Sequence, residues 1–532
     1  RDQGASLILS VKENNIAIEG YTLTVSRDEV RIVGNSAAGA FWGLQTFRQL
    51  IEEFGIDCLP GCVIEDAPAF AERGFYLDIT RGKLPKIDTL KQLIDRLAFC
   101  KINMLQFYVE HAFAFKEYEG IVSPEEQLTA QEVRELDDYC YERFIELVPS
   151  LSTFGHLYYL LQSDQYRHLC ELEGYQPKAP WFIEWMIHHT IDPFNPESIK
   201  VIGSLIDQYA PLFRSKRFNI CCDETFDLCN GRSKGKDKVR AYEMFLRKII
   251  SCVQKHKKHV MMWGDILLKY PQLLEKLPAD ITVLNWEYNA HPDESKVETI
   301  ARLGQPQILC PGTSSWDCIV PLLEVSLPNI AIMASYAKKY KALGILNTNW
   351  NDYGSIGSLP PAFYPMAVGA AVSWNPDIII NQDFDMAAAF HLYGDRTGES
   401  IQLLHRLSSC ESGNVWCNLC QWYAGWVQLS FKTEDLKQRI SLCGEIYERY
   451  KALSESAAVD NAFIKNMMLN CRSIAMLCSM VLTALQPETE LPEELEVWLS
   501  DFTAAWLVDN EESEVHRVTD FIRLLYKKIC LS

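Results

Sequence analysis

Phe75-Tyr-Leu-Asp-Ile79 is followed, after a short connection, by Lys86-Ile-Asp-Thr-Leu-Lys-Gln-Leu-Ile-Asp-Arg-Leu-Ala98. The first segment is a short apolar run with the length and composition of a buried strand. In the second, Leu90, Leu93, Ile94, Leu97 and Ala98 recur at i, i+3, i+4, i+7 and i+8, which gives a helix one apolar face to pack back on that strand. Together they make a βα unit.

The same pattern continues outward along the chain. Apolar runs at Met104 to Val109, Phe144 to Val148, Phe218 to Cys222, Val260 to Trp263, Thr282 to Trp286, Ile308 to Pro311 and Ile345 to Trp350 alternate with helical stretches. With the first, they are the strands needed to close a (β/α)8 TIM barrel, an α/β fold. Before it, alternation at Tyr21, Leu23 and Val25 and at Val30 and Ile32 predicts half-buried strands. A helix capped by Ser36 then presents Phe41, Leu44, Phe47 and Ile51. Beyond Trp374 the strand signals stop and Leu, Ala, Glu, Lys and Met recur at helical spacing. The expected division is a small α+β domain over 1–68, the barrel over 69–380 and a helical C-terminal region over 381–532.

Composition narrows the function. The 532 residues carry 51 Lys and Arg against 70 Asp and Glu, a net charge of −19, which repels a phosphate backbone and argues against nucleic acid as partner. The densest basic run, Arg232, Lys234, Lys236, Lys238 and Arg240, reads as a solvated loop, and its glycines lack the spacing of a phosphate-binding loop. No uninterrupted apolar stretch reaches the roughly 18 residues of a membrane span. Eighteen cysteines without a dense framework read as free thiols, leaning toward a reducing, cytoplasmic compartment over secretion. The chain opens at Arg1, so a targeting segment trimmed from the N-terminus stays open. A single CxxC, Cys417 and Cys420, has no second pair at zinc spacing, and neither metal nor organic cofactor is expected.

Active sites of such barrels lie at the C-terminal ends of the strands. In chain order these ends carry Asp78, Glu110 with His111, Ser152 through His156, Asp223 with Glu224, Trp263 with Asp265, Trp286 with Tyr288, Trp316, and Trp350 with Asp352. Carboxylates accept hydrogen bonds from hydroxyls, and indole faces pack on the C–H face of a pyranose, so the set suits a sugar. Any one Trp could be core, His111 reads as structural, and Asp265 could be a helix N-cap. Cys221 and Cys222 read as filler inside the fourth strand. Adjacent strand residues face opposite ways, so Asp223 and Glu224 share a pocket only where the strand ends and turns. Paired carboxylates in unlike environments divide labour between proton donor and charged stabiliser.

Gly43-Leu-Gln-Thr-Phe-Arg-Gln-Leu50, Arg73-Gly-Phe-Tyr-Leu-Asp-Ile-Thr-Arg81 and Asp223-Glu224 resemble the glycoside hydrolase family 20 β-N-acetylhexosaminidases over roughly residues 20–375. The resemblance implies an exo-acting, retaining, substrate-assisted hydrolase that releases terminal GlcNAc or GalNAc from a glycan, with the acetamide as nucleophile. It implies Glu224 as general acid/base, Asp223 as orienter of the acetamide, and Arg73 and Asp352 on ring hydroxyls. Trp263, Trp286 and Trp350 would wall the pocket, and Tyr288, or else Tyr353, would hold the acetamide carbonyl. Glu110, His156 and Trp316 complete the expected substrate contacts. The sequence departs from the family at Cys221-Cys222, where two glycines are common. It departs again at Glu110-His111 in place of Asp-Asp, and at Asp352 in place of Glu. An O-GlcNAc-removing or β-N-acetylgalactosaminidase-like enzyme, or a non-catalytic glycan-binding barrel, is the alternative.

Overall fold

A computed structural model describes residues 6–12, 17–174, 181–185, 189–455, 459–487, 489 and 494–531. The leading unit is a sheet of four strands, β1 (Ser6–Val11), β2 (Tyr21–Val25), β3 (Glu29–Gly34) and β4 (Cys62–Asp66), in the order β1-β3-β2-β4. Tyr21, Leu23 and Ile32 face inward against Trp42 and Phe47 of the helix Ala37–Phe54. Ser36 caps that helix as the sequence predicts, its hydroxyl accepting from the Gly39 N–H at 3.1 Å.

Eight parallel strands follow: β5 (Glu72–Asp78), β6 (Met104–Tyr108), β7 (Glu146–Pro149), β8 (Arg217–Asn219), β9 (His259–Trp263), β10 (Thr282–Trp286), β11 (Gln307–Cys310) and β12 (Gly344–Asn349). Neighbours pair in parallel register around β7-β6-β5-β12-β11-β10-β9-β8. The ring closes where Ser150 bridges Asn219 and the Leu151 N–H donates to Asn219 O at 3.0 Å. The fold is thus the expected TIM barrel. Most strand ends differ from the sequence reading by one to three residues, and two of the differences have a backbone cause. Phe144 has φ 55° and precedes β7, while Cys221 and Cys222, at φ 57° and 64°, lie beyond β8 rather than inside it, because left-handed residues cannot continue a strand.

The helical C-terminal region props the loops at the barrel's C-terminal face. Ser408 Oγ accepts from Leu323 N and Glu411 from Ile319 N. Trp416 Nε1 donates to Tyr353 O, and Glu514 accepts from the hydroxyl of Tyr159 in the loop after β7. Among the described residues one helix, Asn461–Leu485, is long and apolar enough to cross a membrane by length and composition, and it buries Met467, Ile474, Leu477 and Val481 among its neighbours.

Candidate active site

The carboxylate pair sits just past β8. Cys221, Cys222 and Glu224 all have positive φ, 57°, 64° and 47°, so the backbone coils sharply and both acids come to face one imidazole. Nε2 of His156 is 3.5 Å from Asp223 Oδ2 and 3.3 Å from Glu224 Oε2. A left-handed conformation costs an L-residue roughly 1–2 kcal/mol and glycine almost nothing. That explains why glycines would suit positions 221 and 222, and shows that this chain holds the same turn with cysteines. Gly155 has a steric reason: a Cβ there would lie 2.8 Å from Asp223 O, so glycine lets the His156 loop approach the pair.

Burial alone would lower the His156 pKa, but the Asp223 and Glu224 carboxylates outweigh it and lift it to about 10. The ring stacks on His189 at 4.4 Å, and the His156 N–H donates to His189 Nδ1 at 2.7 Å. On the other side Asp265 Oδ2 accepts the Glu224 N–H at 3.0 Å, holding the turn that points Glu224 outward. Burial first, and repulsion from Asp223 second, push Asp265 up to about 7.

A second cluster surrounds Arg81. Its Nη1 pairs with Asp352 and lies 3.6 Å from Asp78 Oδ2, and its Nε lies 3.6 Å from Glu110 Oε1. Its guanidinium lies 4.7 Å from the Tyr108 ring centroid and 5.4 Å from that of Trp350. Asp78 takes the N–H groups of Thr80 and Arg81 on one oxygen and that of Asn351 on the other, tying the ends of β5 and β12 together.

The structure corrects the assignment of Arg73 to sugar hydroxyls. Arg73 is near the N-terminal end of β5, roughly 17 Å of extended chain before Asp78. It is fully buried, bonded to Glu19, Phe70 O and Lys101 O and facing Trp42 and Trp374, where it locks the small domain to the barrel. The arginine in the site is Arg81, at the other end of the same motif. Glu110 is also corrected: it is enclosed, with Tyr108 Oη donating to one oxygen at 2.6 Å and Trp185 Nε1 to the other, so it acts through Arg81 rather than on a ligand.

The aromatic side chains of the last strand ends pack against one another. Trp350 Nε1 donates to Tyr288 Oη at 2.8 Å, and Tyr288 stacks on Trp286 at 5.2 Å and meets the Trp316 edge at 4.9 Å. Gly312 makes room, since a Cβ there would lie 2.6 Å from the Trp316 ring. Trp263 is fully buried, 5.7 Å from Trp350, and forms the floor beneath it. Tyr353 turns away toward Phe182 and accepts from Gln421 Nε2 at 2.9 Å, whereas Tyr288 stands within the aromatic cluster. Asp317, unread in the sequence, stands beside Asp352; its Oδ1 has no hydrogen-bond partner among the described residues, and burial raises its pKa strongly.

Among the described residues, two groups of side chains bring ligand atoms within 4.8 Å of one another: His156 with Asp223 and Glu224, and His111 with Glu126 and Glu514. At the first, the lifted pKa keeps the imidazole protonated, so it offers a proton rather than a lone pair. At the second, the Arg517 guanidinium already bonds Glu514.

Carboxylates and indoles are thus gathered at the strand ends of a (β/α)8 barrel. The family model "Glycosyl hydrolase family 20, catalytic domain" matches residues 70–319, and "Glycosyl hydrolase family 20, domain 2" matches residues 2–67. Beta-hexosaminidase subunit alpha of Mus musculus is 30% identical over 431 residues, 73% of this chain and 76% of its own. Beta-hexosaminidase of Porphyromonas gingivalis is 29% identical over 306 residues, 50% of this chain but only 37% of that protein. Among solved structures, the Flavobacterium johnsoniae chitobiase superposes with a TM-score of 0.56 at 18% identity, over 97% of this chain and 88% of its own, a likeness of fold. The chain belongs to glycoside hydrolase family 20, and it is a glycoside hydrolase.

Proposed function

We propose that the protein is an exo-acting, retaining β-N-acetylhexosaminidase that removes terminal β-linked GlcNAc or GalNAc by substrate-assisted catalysis. The observation that carries the reading is the convergence of Asp223 and Glu224 on one protonated imidazole, beside the wall made by Trp350 and Tyr288. Glu224 gives its proton to the glycosidic oxygen as that bond to the anomeric carbon breaks. The acetamide carbonyl oxygen of the same sugar attacks the anomeric carbon from the opposite face, and Asp223 accepts the acetamide N–H and stabilises the positive charge that develops. Water then adds to the anomeric carbon, Glu224 takes its proton, and the acetamide is regenerated with configuration retained.

His156, positively charged between the two carboxylates, offsets their mutual repulsion. In this reading Tyr288 Oη donates to the acetamide oxygen, and Arg81 with Asp352 holds ring hydroxyls. Hydrolysis of 4-nitrophenyl β-GlcNAc and β-GalNAc, with tight inhibition by a thiazoline mimic of the cyclised sugar, is the expected result. A thiazoline that fails to bind removes the acetamide as nucleophile.

A further inference from the structure

The basic run Arg232 to Arg240 has no use in the chemistry above, yet it borders the site. Arg232 is paired with Glu173, and Lys238 opens the helix Lys238–Lys255 that follows β8. A cavity of about 290 Å³ begins at Glu224 and is lined by Phe226, Lys238, Lys269, Tyr270 and Trp286. Among the described residues neither lysine is in an ion pair. Lys238 also sits at the positive end of its helix dipole, where a cation is disfavoured, and Lys269 is close enough to repel it further.

The position of the cavity follows from the direction of proton transfer. In the proposed reading Asp223, Trp350 and Asp352 hold the non-reducing sugar, and none of the three lines this cavity. The leaving group therefore extends past the Glu224 carboxyl, where Trp286 is shared between the aromatic wall and the cavity. Phe226, half exposed, offers a face to a second pyranose, with Tyr270 and Trp286 beside it. Asp227 and Glu171 act on Lys238 from outside the cavity without pairing with it, and the two acids of the inner wall do not cancel the lysines. Glu224 is uncharged when it carries the proton it donates, and Asp265 titrates only near 7.

We propose that this cavity is a leaving-group subsite selecting a sugar that bears a carboxylate or a sulfate ester, with Lys238 and Lys269 as its anion contacts. On a chain of net charge −19, whose long-range field disfavours anions, two unpaired ammonium groups beside the proton donor are a local counter-charge. The proposal rests on the reading of Glu224 as the proton donor.

The test uses the full chain and three disaccharides: GlcNAcβ1→4Glc, GlcNAcβ1→4GlcA, and GlcNAcβ1→4Glc 6-sulfate. At low ionic strength kcat/KM is expected to be about five- to tenfold higher for an acidic substrate than for the neutral one. The ratio should shrink as salt rises. A preference for the glucuronide alone assigns the site to carboxylates, and one for the sulfate alone to sulfate esters. Lys238→Met with Lys269→Met should bring the ratio to about one, and Lys238→Glu should invert it. Because the readout is a ratio within one preparation, partial misfolding cancels. Equal rates on neutral and acidic substrates by the native protein, or a preference unchanged in the double variant, overturns the proposal while the activity stands. No hydrolysis of any of the three, nor of 4-nitrophenyl β-GlcNAc, overturns the activity and the subsite together.

Discussion

Nε2 of His156 stands 3.3 Å from Oε2 of Glu224, so the residue read as proton donor is held against a cation that also faces Asp223. The folded pKa of His156, about 10, is above its ordinary 6.5, so its contribution to stability is complete below pH 6.5 and is lost as pH rises toward 10. Over that window the buried ring contributes on the order of 5 kcal/mol. Chemical denaturation of the native protein should show stability falling across this range, and His156→Gln should flatten the slope. An unchanged slope in the variant excludes a charged His156.

Arg81 and Arg73 should behave oppositely. Arg81→Lys keeps the charge but loses the planar fork that reaches Asp352, Asp78 and Glu110 together, and kcat/KM should fall by about 10². Arg73→Lys disturbs the buried contact with Glu19 at the far end of β5, and should cost about 2–4 kcal/mol of stability with KM little changed. Steady-state kinetics beside thermal melts separates the two; an elevated KM in the Arg73 variant would contradict the placement.

Asp265 is a positioning residue whose charge acts on Glu224. Above pH 7, ionised Asp265 places a further negative charge beside Glu224. Asp265→Asn can still accept the Glu224 N–H but carries no charge. The alkaline limb of the kcat/KM profile should therefore move down by about half a unit to one unit. A limb that stays in place means Asp265 only caps the turn.

The left-handed backbone at Cys222 reverses a familiar order. Glycine usually destabilises relative to alanine by up to about 1 kcal/mol, but at φ 64° the alanine keeps the strain and glycine releases it. Both variants lose the buried sulfur, so Cys222→Gly should melt at or above Cys222→Ala. The opposite order would show that the turn is not strained.

The strands of the barrel were legible because each is a buried apolar run set between helices with a 3.6-residue apolar period, and β5 to β12 each overlap a predicted run. Asp223 and Glu224 were legible because chain direction alone places them past the end of β8. The same rule was available for Arg81, which follows Asp78 by three residues, whereas Arg73 stands before the apolar run and so at the wrong end of the strand. Trp185, His189 and Asp317 were not legible. They reach the site from long loops, where neither period nor strand direction fixes a side chain, and their places depend on Glu110, His156 and Asp352.

The central claim is that the substrate's own acetamide is the nucleophile, held by Asp223 while Glu224 moves the proton. It is tested most directly by kcat/KM on 4-nitrophenyl β-glycosides whose N-acetyl group carries none, one, two or three fluorine atoms. Fluorine draws electron density from the carbonyl oxygen, so log kcat/KM should fall steeply along the series. A rate independent of fluorine would contradict the account.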